Sequence, residues 1–177
     1  LIYGYDELNT MITWYHYPYQ KEHLKKLGFT KLAEWVEYKI KIFSAEEAPE
    51  KVKKFSKIIQ RRYELKVVNF KSTKEIVPYV DKMFELLNLT YSNLQTYVTI
   101  KQYQIDFYKE KFIKYIHPDF IKCCLDKEDN LIAFLITMPS FSRALRKING
   151  KMGLMGYYHL FKAQHFNDRV SLYLIGV

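Results

Sequence analysis

A glycine run, GKMGLMG, is the first stretch of this sequence whose residue types and spacing could do chemistry. Gly150, Gly153 and Gly156 stand three apart, and glycine-rich turns can hold a phosphate through backbone N–H groups. The run lacks the GK[ST] ending of a Walker loop and the G-x-G-x-x-G spacing of a dinucleotide turn, which disfavours a phosphate loop. We therefore expect a flexible lid or a loop that lines a substrate site.

The remaining polar groups match no familiar catalytic pattern. The five histidines show no HExxH spacing, and no G-x-S-x-G surrounds Ser140 or Ser142, so neither a metal centre nor a serine nucleophile is indicated. The stretch DKEDN lacks the glycine and ligand spacing of a calcium loop, and we interpret it as a hairpin turn. Cys123 and Cys124 are adjacent in a predicted strand and point to opposite faces, which is typical of core thiols in a reducing cytoplasm.

Aromatic residues and charge bear on binding partners. Tyr15, Tyr17 and Tyr19 would stack nucleic-acid bases if exposed, and the alternative is that they pack in the core or at the start of a helix. The net charge of +9 favours an anionic partner such as a nucleotide cofactor, nucleic acid or a membrane surface. The alternative is that the lysines simply solvate the outer faces of helices.

Composition describes a globular chain of 177 residues. Hydrophobic residues make up 49% and aromatic residues 17%, which excludes disordered and low-complexity classes. No apolar run approaches the roughly 18 residues that a membrane span needs, and the first residues have neither a basic region nor an apolar region typical of a signal peptide. We expect a cytoplasmic protein that has no membrane partner.

The first third of the chain has three predicted elements. Pro18 favours the first turn of a helix, which ends at Leu27 because Gly28 suits a left-handed helix stop of the Schellman type. Residues 35–42 alternate and predict a strand. Residues 44–62 predict a connector that becomes an amphipathic helix, with Pro49 near its start.

The following residues predict an alternation of strands and helices. Residues 65–70 form a strand, Ser72 with Glu75 is a capping box that opens a helix to about Thr90, and Thr99 with Gln102 opens another helix to residue 116. The next predicted elements are a hairpin of strands 120–125 and 131–138, a short helix 141–147 closed by Asn149 and Gly150, a segment rich in Met and Tyr to residue 165, and a last strand with the sequence RVSLYLIGV.

The motif HLKKLGF, His23 to Phe29, resembles the last helix and Gly-Phe turn of the GNAT acyl-CoA N-acyltransferases. The elements from residue 65 resemble the front half of a second GNAT domain: a strand, two helices, a hairpin and a fourth strand. The resemblance implies an α+β fold, with a GNAT-like mixed sheet and flanking helices. It also implies three parts: residues 1–43 from the end of a first domain, a connector helix at 44–62, and residues 63–177 from the second domain.

The resemblance implies acetyl-CoA or another acyl-CoA as cofactor. Backbone groups of Ile175, Gly176 and Val177 would then bind the thioester carbonyl and the pantetheine arm, and Gly176 would allow a ligand to approach closely. In the family, a Q/R-x-x-G-x-G/A loop that binds the pyrophosphate follows this strand. We therefore expect RVSLYLIGV to be an internal strand of a longer tandem protein, and these 177 residues alone to be inactive.

Two departures from the family pattern matter for function. The family often has a Tyr four residues before the glycine of the Gly-Phe turn, and this chain has Leu24. Residues 141–165 separate the third and fourth strands, where a lid over the acceptor could lie, and their apolar side chains are expected to pack rather than remain disordered. The implied reaction is acyl transfer to a small-molecule or peptide amine. The alternatives are an aminoacyl-tRNA-dependent transferase and a non-catalytic RNA-binding or interaction module.

Overall fold

Six α-helices and one four-stranded sheet form the regular structure of the part of the chain that this computed structural model describes, residues 1–44, 46–113 and 116–177. The fold is mixed α+β, as the sequence predicts. In chain order the elements are α1 (Pro18–Lys26), α2 (Glu50–Arg62), β1 (Lys66–Asn69), α3 (Thr73–Tyr91), α4 (Gln102–Phe112), β2 (Ile121–Leu125), β3 (Leu131–Pro139), α5 (Ser142–Ile148), α6 (Leu154–His165) and β4 (Val170–Gly176). A short 3-10 helix, Pro118–Phe120, precedes β2.

The chain divides into two compact units. The first unit comprises Leu1–Ile42 and Pro139–Ser171, and the second comprises Phe43–Met138 and Leu172–Val177. The boundary after Ile42 lies next to the predicted boundary after residue 43. The grouping of 139–171 with the first residues of the chain was not predicted, because it depends on contacts between segments that are distant in sequence.

The end of α1 in the first unit has the predicted Schellman geometry. Gly28 adopts a φ of +84°, in the left-handed region that glycine enters without a Cβ penalty. The Gly28 N–H donates to the carbonyl of Lys25 at 3.0 Å, and the Phe29 N–H donates to the carbonyl of Leu24 at 3.1 Å. These are the two hydrogen bonds of the motif, so the glycine stop is confirmed.

The prediction of a strand over residues 35–42 is wrong. Residues 29–44 contain no helix or strand, and the large apolar side chains of this stretch are exposed. Alternation predicts a strand only if a second strand supplies backbone partners and an apolar surface covers one face. In the described part of the chain no strand pairs with this segment, so the pattern alone does not produce one.

The sheet lies in the order β1-β2-β3-β4. β1 pairs antiparallel with β2, with Val68 opposite Cys123, and β2 pairs antiparallel with β3. The DKEDN turn joins these last two strands as predicted: Asp126 Oδ1 accepts from the backbone N–H of Glu128 at 2.8 Å and of Asn130 at 2.9 Å. The hydrogen bond from the Asn130 side chain is the main reason that the pKa of the Asp126 carboxyl is lowered.

The core of the second unit lies between the sheet and one face of α3. The spacing of Ile76, Val80, Met83 and Leu87 places all four on a single stripe of the helix, and each is buried. They form one cluster with Phe70, which follows β1, and with Ile121, Cys123 and Phe134 from the strands. The helix and the sheet therefore fix each other, and the strand ends take their positions from this contact.

Two helix starts in the second unit were predicted from capping boxes, and one prediction is wrong. Ser72 is the N-cap of α3 as expected, but the capping box does not form, because the Ser72 side chain makes no cap hydrogen bond and Glu75 Oε2 accepts from the backbone N–H of Lys71 at 2.9 Å instead of from that of Ser72. The N-cap of α4 is Lys101 rather than Thr99, and Gln104 Oε1 accepts from the Lys101 N–H at 2.9 Å. The predicted last turn of this helix includes residues 114 and 115, which lie outside the described residues.

The glycine run of the first unit begins in the short loop between α5 and α6 and ends within α6. Asn149 and Gly150 adopt left-handed φ values of 49° and 75° and end α5 as predicted, and Gly153 is the N-cap of α6. The expected loop is therefore present at residues 150–153, whereas residues 154–156 belong to α6, and the role of a lid or of a loop that lines a substrate site stays a prediction. The expected packing is wrong for most apolar residues of this stretch, since Met152, Leu154, Met155, Tyr157 and Phe161 are exposed.

Candidate functional site

The end of β4 is the candidate site, because the sequence places Ile175, Gly176 and Val177 there. Strand β4 is the last in the order of the sheet, so its outer edge pairs with no other strand in residues 1–44, 46–113 and 116–177. Leu174 packs against the core cluster and anchors the strand. Gly176 is buried, whereas Ile175 and Val177 are exposed. An edge strand of this kind presents backbone N–H and C=O groups to a binding partner.

Gly176 has a packing reason to be glycine. A Cβ built on Gly176 would lie 2.5 Å from Cε1 of Phe134, closer than any real contact allows. Phe134 is buried in the core cluster, so its ring cannot move aside cheaply. The space that the missing Cβ leaves is filled by this ring, and the close approach that was expected of a ligand is made by a side chain of the protein.

Tyr91, the last residue of α3, binds the backbone of the site. Its hydroxyl donates to the carbonyl of Ile175 at 2.9 Å, across 84 residues of sequence. A residue's own N–H and C=O point to the same edge of a strand, and the next residue points to the opposite edge. The N–H group of Ile175, which lies in β4, therefore faces the same edge as the carbonyl that Tyr91 binds.

Asn88 holds the segment that follows α3. Its Nδ2 donates to the carbonyl of Ile100 at 3.0 Å, and its Oδ1 accepts from the Ile100 N–H at 2.9 Å. The Tyr97 hydroxyl donates to the same Oδ1 at 2.6 Å, and the Tyr97 ring meets the Tyr91 ring edge-on with centroids 5.5 Å apart. One amide side chain thus holds Tyr97 and Ile100 of the loop whose Tyr97 ring packs on Tyr91.

The phenol groups of Tyr97 and Tyr173 stay protonated at neutral pH. Burial raises the pKa of Tyr97, and burial also raises the pKa of Tyr173 in β4. A neutral phenol donates a hydrogen bond and does not act as a base. The Tyr97 hydroxyl is therefore a donor, and it donates to Asn88 Oδ1.

Asn88, Tyr91 and Tyr97 were missed when the sequence was read for function. Asn88 and Tyr91 stand three apart and lie on one side of the helix end, a spacing that indicates cooperation between two polar side chains. The spacing of Asn88 and Tyr91 was visible in the sequence, but it concerns only neighbouring residues. Nothing in the sequence shows that Tyr91 reaches a carbonyl 84 residues away.

The two cysteines are not candidate nucleophiles. Cys123 is buried, and burial raises the pKa of its thiol to about 12, so it carries no thiolate at neutral pH. Cys124 is half-buried on the opposite face of β2, as the alternation of the strand predicts. Both thiols are free, and Cys123 serves as a small apolar residue of the core cluster.

A shallow groove of the second unit lies between the end of α2 and the β2–β3 turn. It has a volume of about 510 Å³ and is lined by residues 62–65 together with Asp126, Lys127 and Ile132. The Arg62 guanidinium lies over the Tyr63 ring, 5.6 Å from its centroid. Charges of both signs line this open surface, and no cluster of side chains in it points to a particular ligand.

No group of three or more His, Cys, Asp or Glu side chains within the described ranges is arranged to hold a metal ion. None of the helices in those ranges combines the length and the apolar character that crossing a membrane requires. Comparisons of the chain with protein-family models, curated proteins and solved structures gave no match.

Proposed function

We propose that this chain is part of a GNAT-type N-acyltransferase that moves an acyl group from acyl-CoA to an amine. The observation that supports this proposal most is the order of elements in the second unit and β4. Strand β1 is followed by helices α3 and α4, then by the antiparallel β2–β3 hairpin, and β4 lies beside β3 at the edge of the sheet. The GNAT resemblance implies the same order for the front half of a domain.

The chemistry proposed for the site is polarisation of a thioester carbonyl at the edge of β4. Backbone groups of Ile175, Gly176 and Val177 would bind the thioester carbonyl and the pantetheine arm, each acceptor at a different residue, while Tyr91 holds this backbone through the carbonyl of Ile175. The amine nitrogen attacks the carbonyl carbon, a C–N bond forms and the C–S bond breaks. The amine loses a proton, and the departing thiolate of CoA takes one up. The site contributes mainly by holding the two reactants in position.

The cofactor is proposed to be acetyl-CoA or another acyl-CoA, and the acceptor a small-molecule or peptide amine. The 177 residues contain no Q/R-x-x-G-x-G/A sequence, so they do not include the pyrophosphate loop that the resemblance implies after β4. The excess of Lys and Arg, which gives the net charge of +9, is favourable for a cofactor that carries phosphates. Two free thiols are in keeping with a reducing, cytoplasmic environment.

Calorimetry with acetyl-CoA tests this proposal. The titration is done on the 177-residue chain and on a product of the same reading frame extended past Val177. We expect the extended product to bind acetyl-CoA and to release the CoA thiol when an amine is added, and we expect the 177-residue chain to bind weakly or not at all. An extended product that does not bind, or tight binding by the 177-residue chain, would contradict the proposal.

A further inference from the structure

Four tyrosines and a histidine form a continuous row of rings in the first unit, which we call the aromatic row. Its members are Tyr5, Tyr15, Tyr17, Tyr19 and His23. Successive ring centroids lie 5.9, 5.5, 5.8 and 5.2 Å apart. The proposed acyltransferase site uses none of these residues.

The spacing of these residues along the chain explains the row. Residues 14–17 contain no helix, and Tyr17 has extended dihedral angles, so Tyr15 and Tyr17 project to the same side. Pro18 then begins α1, and Tyr19 and His23 stand four apart on one face of that helix. The rings of the extended segment and the rings of α1 therefore lie next to each other and form one surface.

The rings of the row face solvent. Tyr15 is 60% exposed, Tyr17 is 59% exposed and Tyr19 is 55% exposed. Helix α1 buries no residue at all. The sequence left two alternatives for these tyrosines, exposure or packing, and the structure has them exposed. Adjacent exposed aromatic rings form a surface that planar groups can stack upon.

Charge next to the row suits an anionic chain. Lys26 stands seven residues after Tyr19, two turns along the same face of α1. Glu22 lies on the flank of that face, and the ammonium of Lys25 pairs with its carboxylate at 3.4 Å, which offsets the negative charge. The whole chain carries a net charge of +9. Phosphates that approach this face therefore meet a positive field.

We propose that the aromatic row binds single-stranded nucleic acid. Bases stack on the ring surfaces of the row that face solvent, and phosphates lie towards Lys26. A base between two rings needs about 7 Å, twice the roughly 3.4 Å repeat of stacked bases. Since Tyr17 and Tyr19 are 5.8 Å apart, no base lies between them. Stacking of this kind tolerates any base sequence.

Fluorescence anisotropy with a labelled oligouridylate tests the inference on the 177-residue chain. We expect binding at low salt, and the double variant Tyr17→Leu/Tyr19→Leu should weaken it at least about tenfold because two stacking surfaces are lost. The variant Tyr17→Phe/Tyr19→Phe keeps the rings and should retain binding. Tyr103→Leu, which alters a tyrosine of α4 that is 73% exposed, is the matched control and should change nothing.

An abasic oligomer of the same length separates stacking from charge. It should bind the unaltered chain about as weakly as the oligouridylate binds the double Leu variant. Lys26→Gln should reduce the dependence of the affinity on salt, by a log–log slope of about 0.7 for one phosphate contact. Three results would each overturn the inference: no binding at low salt, equal binding of the abasic oligomer, or self-association of the chain through these rings without oligomer binding.

Discussion

At the scale of single residues, Gly176 connects the sequence of β4 with the core of the second unit. Gly176 was chosen as a candidate from the sequence because a residue without a Cβ lets a ligand approach the backbone closely. The structure gives it a different neighbour, the Phe134 ring, which fills the position of the missing side chain. Gly176 is therefore sensitive to substitution because of its packing against Phe134, a contact that the sequence does not show.

Gly176→Ala is expected to destabilise the protein by about 1–3 kcal/mol, because the added methyl group would overlap a buried ring. Chemical unfolding of the two proteins measures the difference. The control is a double-mutant cycle with Phe134→Leu, in which the smaller side chain relieves the overlap and the alanine costs less. An equal cost in both backgrounds would show that the Phe134 ring is not the cause.

The hydrogen bonds of Asn88 could not be predicted from the sequence. Its amide holds both the N–H and the carbonyl of Ile100, and its Oδ1 also accepts from Tyr97. An asparagine near the end of a predicted helix usually interacts with solvent or with its own turn. Ile100 reaches Asn88 only because residues 92–101 turn back towards α3. This segment is irregular, so no periodic pattern in the sequence predicts its path.

At the scale of elements, α3 and α4 are joined by a polar contact on their outer faces. The Lys109 ammonium donates to Asp81 Oδ2 at 2.8 Å, and the Gln102 side chain donates to Oδ1 at 3.4 Å. The hydrogen bond from Lys109 is the main reason that the pKa of the Asp81 carboxyl lies below its ordinary value. The side chain of Asp81 is 46% exposed, so solvent screens much of this interaction.

The pH dependence of this contact follows from the direction of that shift. A depressed pKa stabilises the fold above the unfolded value of about 3.9, and this stabilisation is lost as the pH falls through the folded value. Asp81→Asn should therefore lower the free energy of unfolding by less than about 1 kcal/mol at pH 7, and the difference should disappear near pH 2. Urea unfolding at both pH values measures it, and a difference that persists in acid would exclude the ion pair as its origin.

Elements with a local signature were predictable, whereas strand patterns gave four correct predictions, β1 to β4, and one wrong prediction at residues 35–42. The glycine stop after α1, the DKEDN turn and helix α2 follow from residues within a few positions of each other. The alternation of residues 35–42 is equally clear in the sequence but yields no strand. Strands depend on pairing across the fold, whereas helix ends and turns satisfy their hydrogen bonds locally.

At the scale of the whole molecule, two different surfaces are proposed to bind two different ligands. The edge of β4 with Tyr91 is proposed to hold a thioester, and the aromatic row is proposed to hold a single strand of nucleic acid. The fold class was predictable from the alternation of helices and strands. The division into units was not, because it depends on contacts between residues 1–42 and 139–171 that no local pattern records.

The central claim is that acyl-CoA binds at the end of β4, and hydrogen exchange tests it most directly. Exchange is followed in the product extended past Val177, with and without acetyl-CoA, and α2 serves as the internal control. We predict that amides of residues 170–177 become protected because the ligand carbonyl and pantetheine arm accept their N–H groups, while residues 50–62 do not change. Binding of acetyl-CoA that leaves residues 170–177 unprotected would contradict the account.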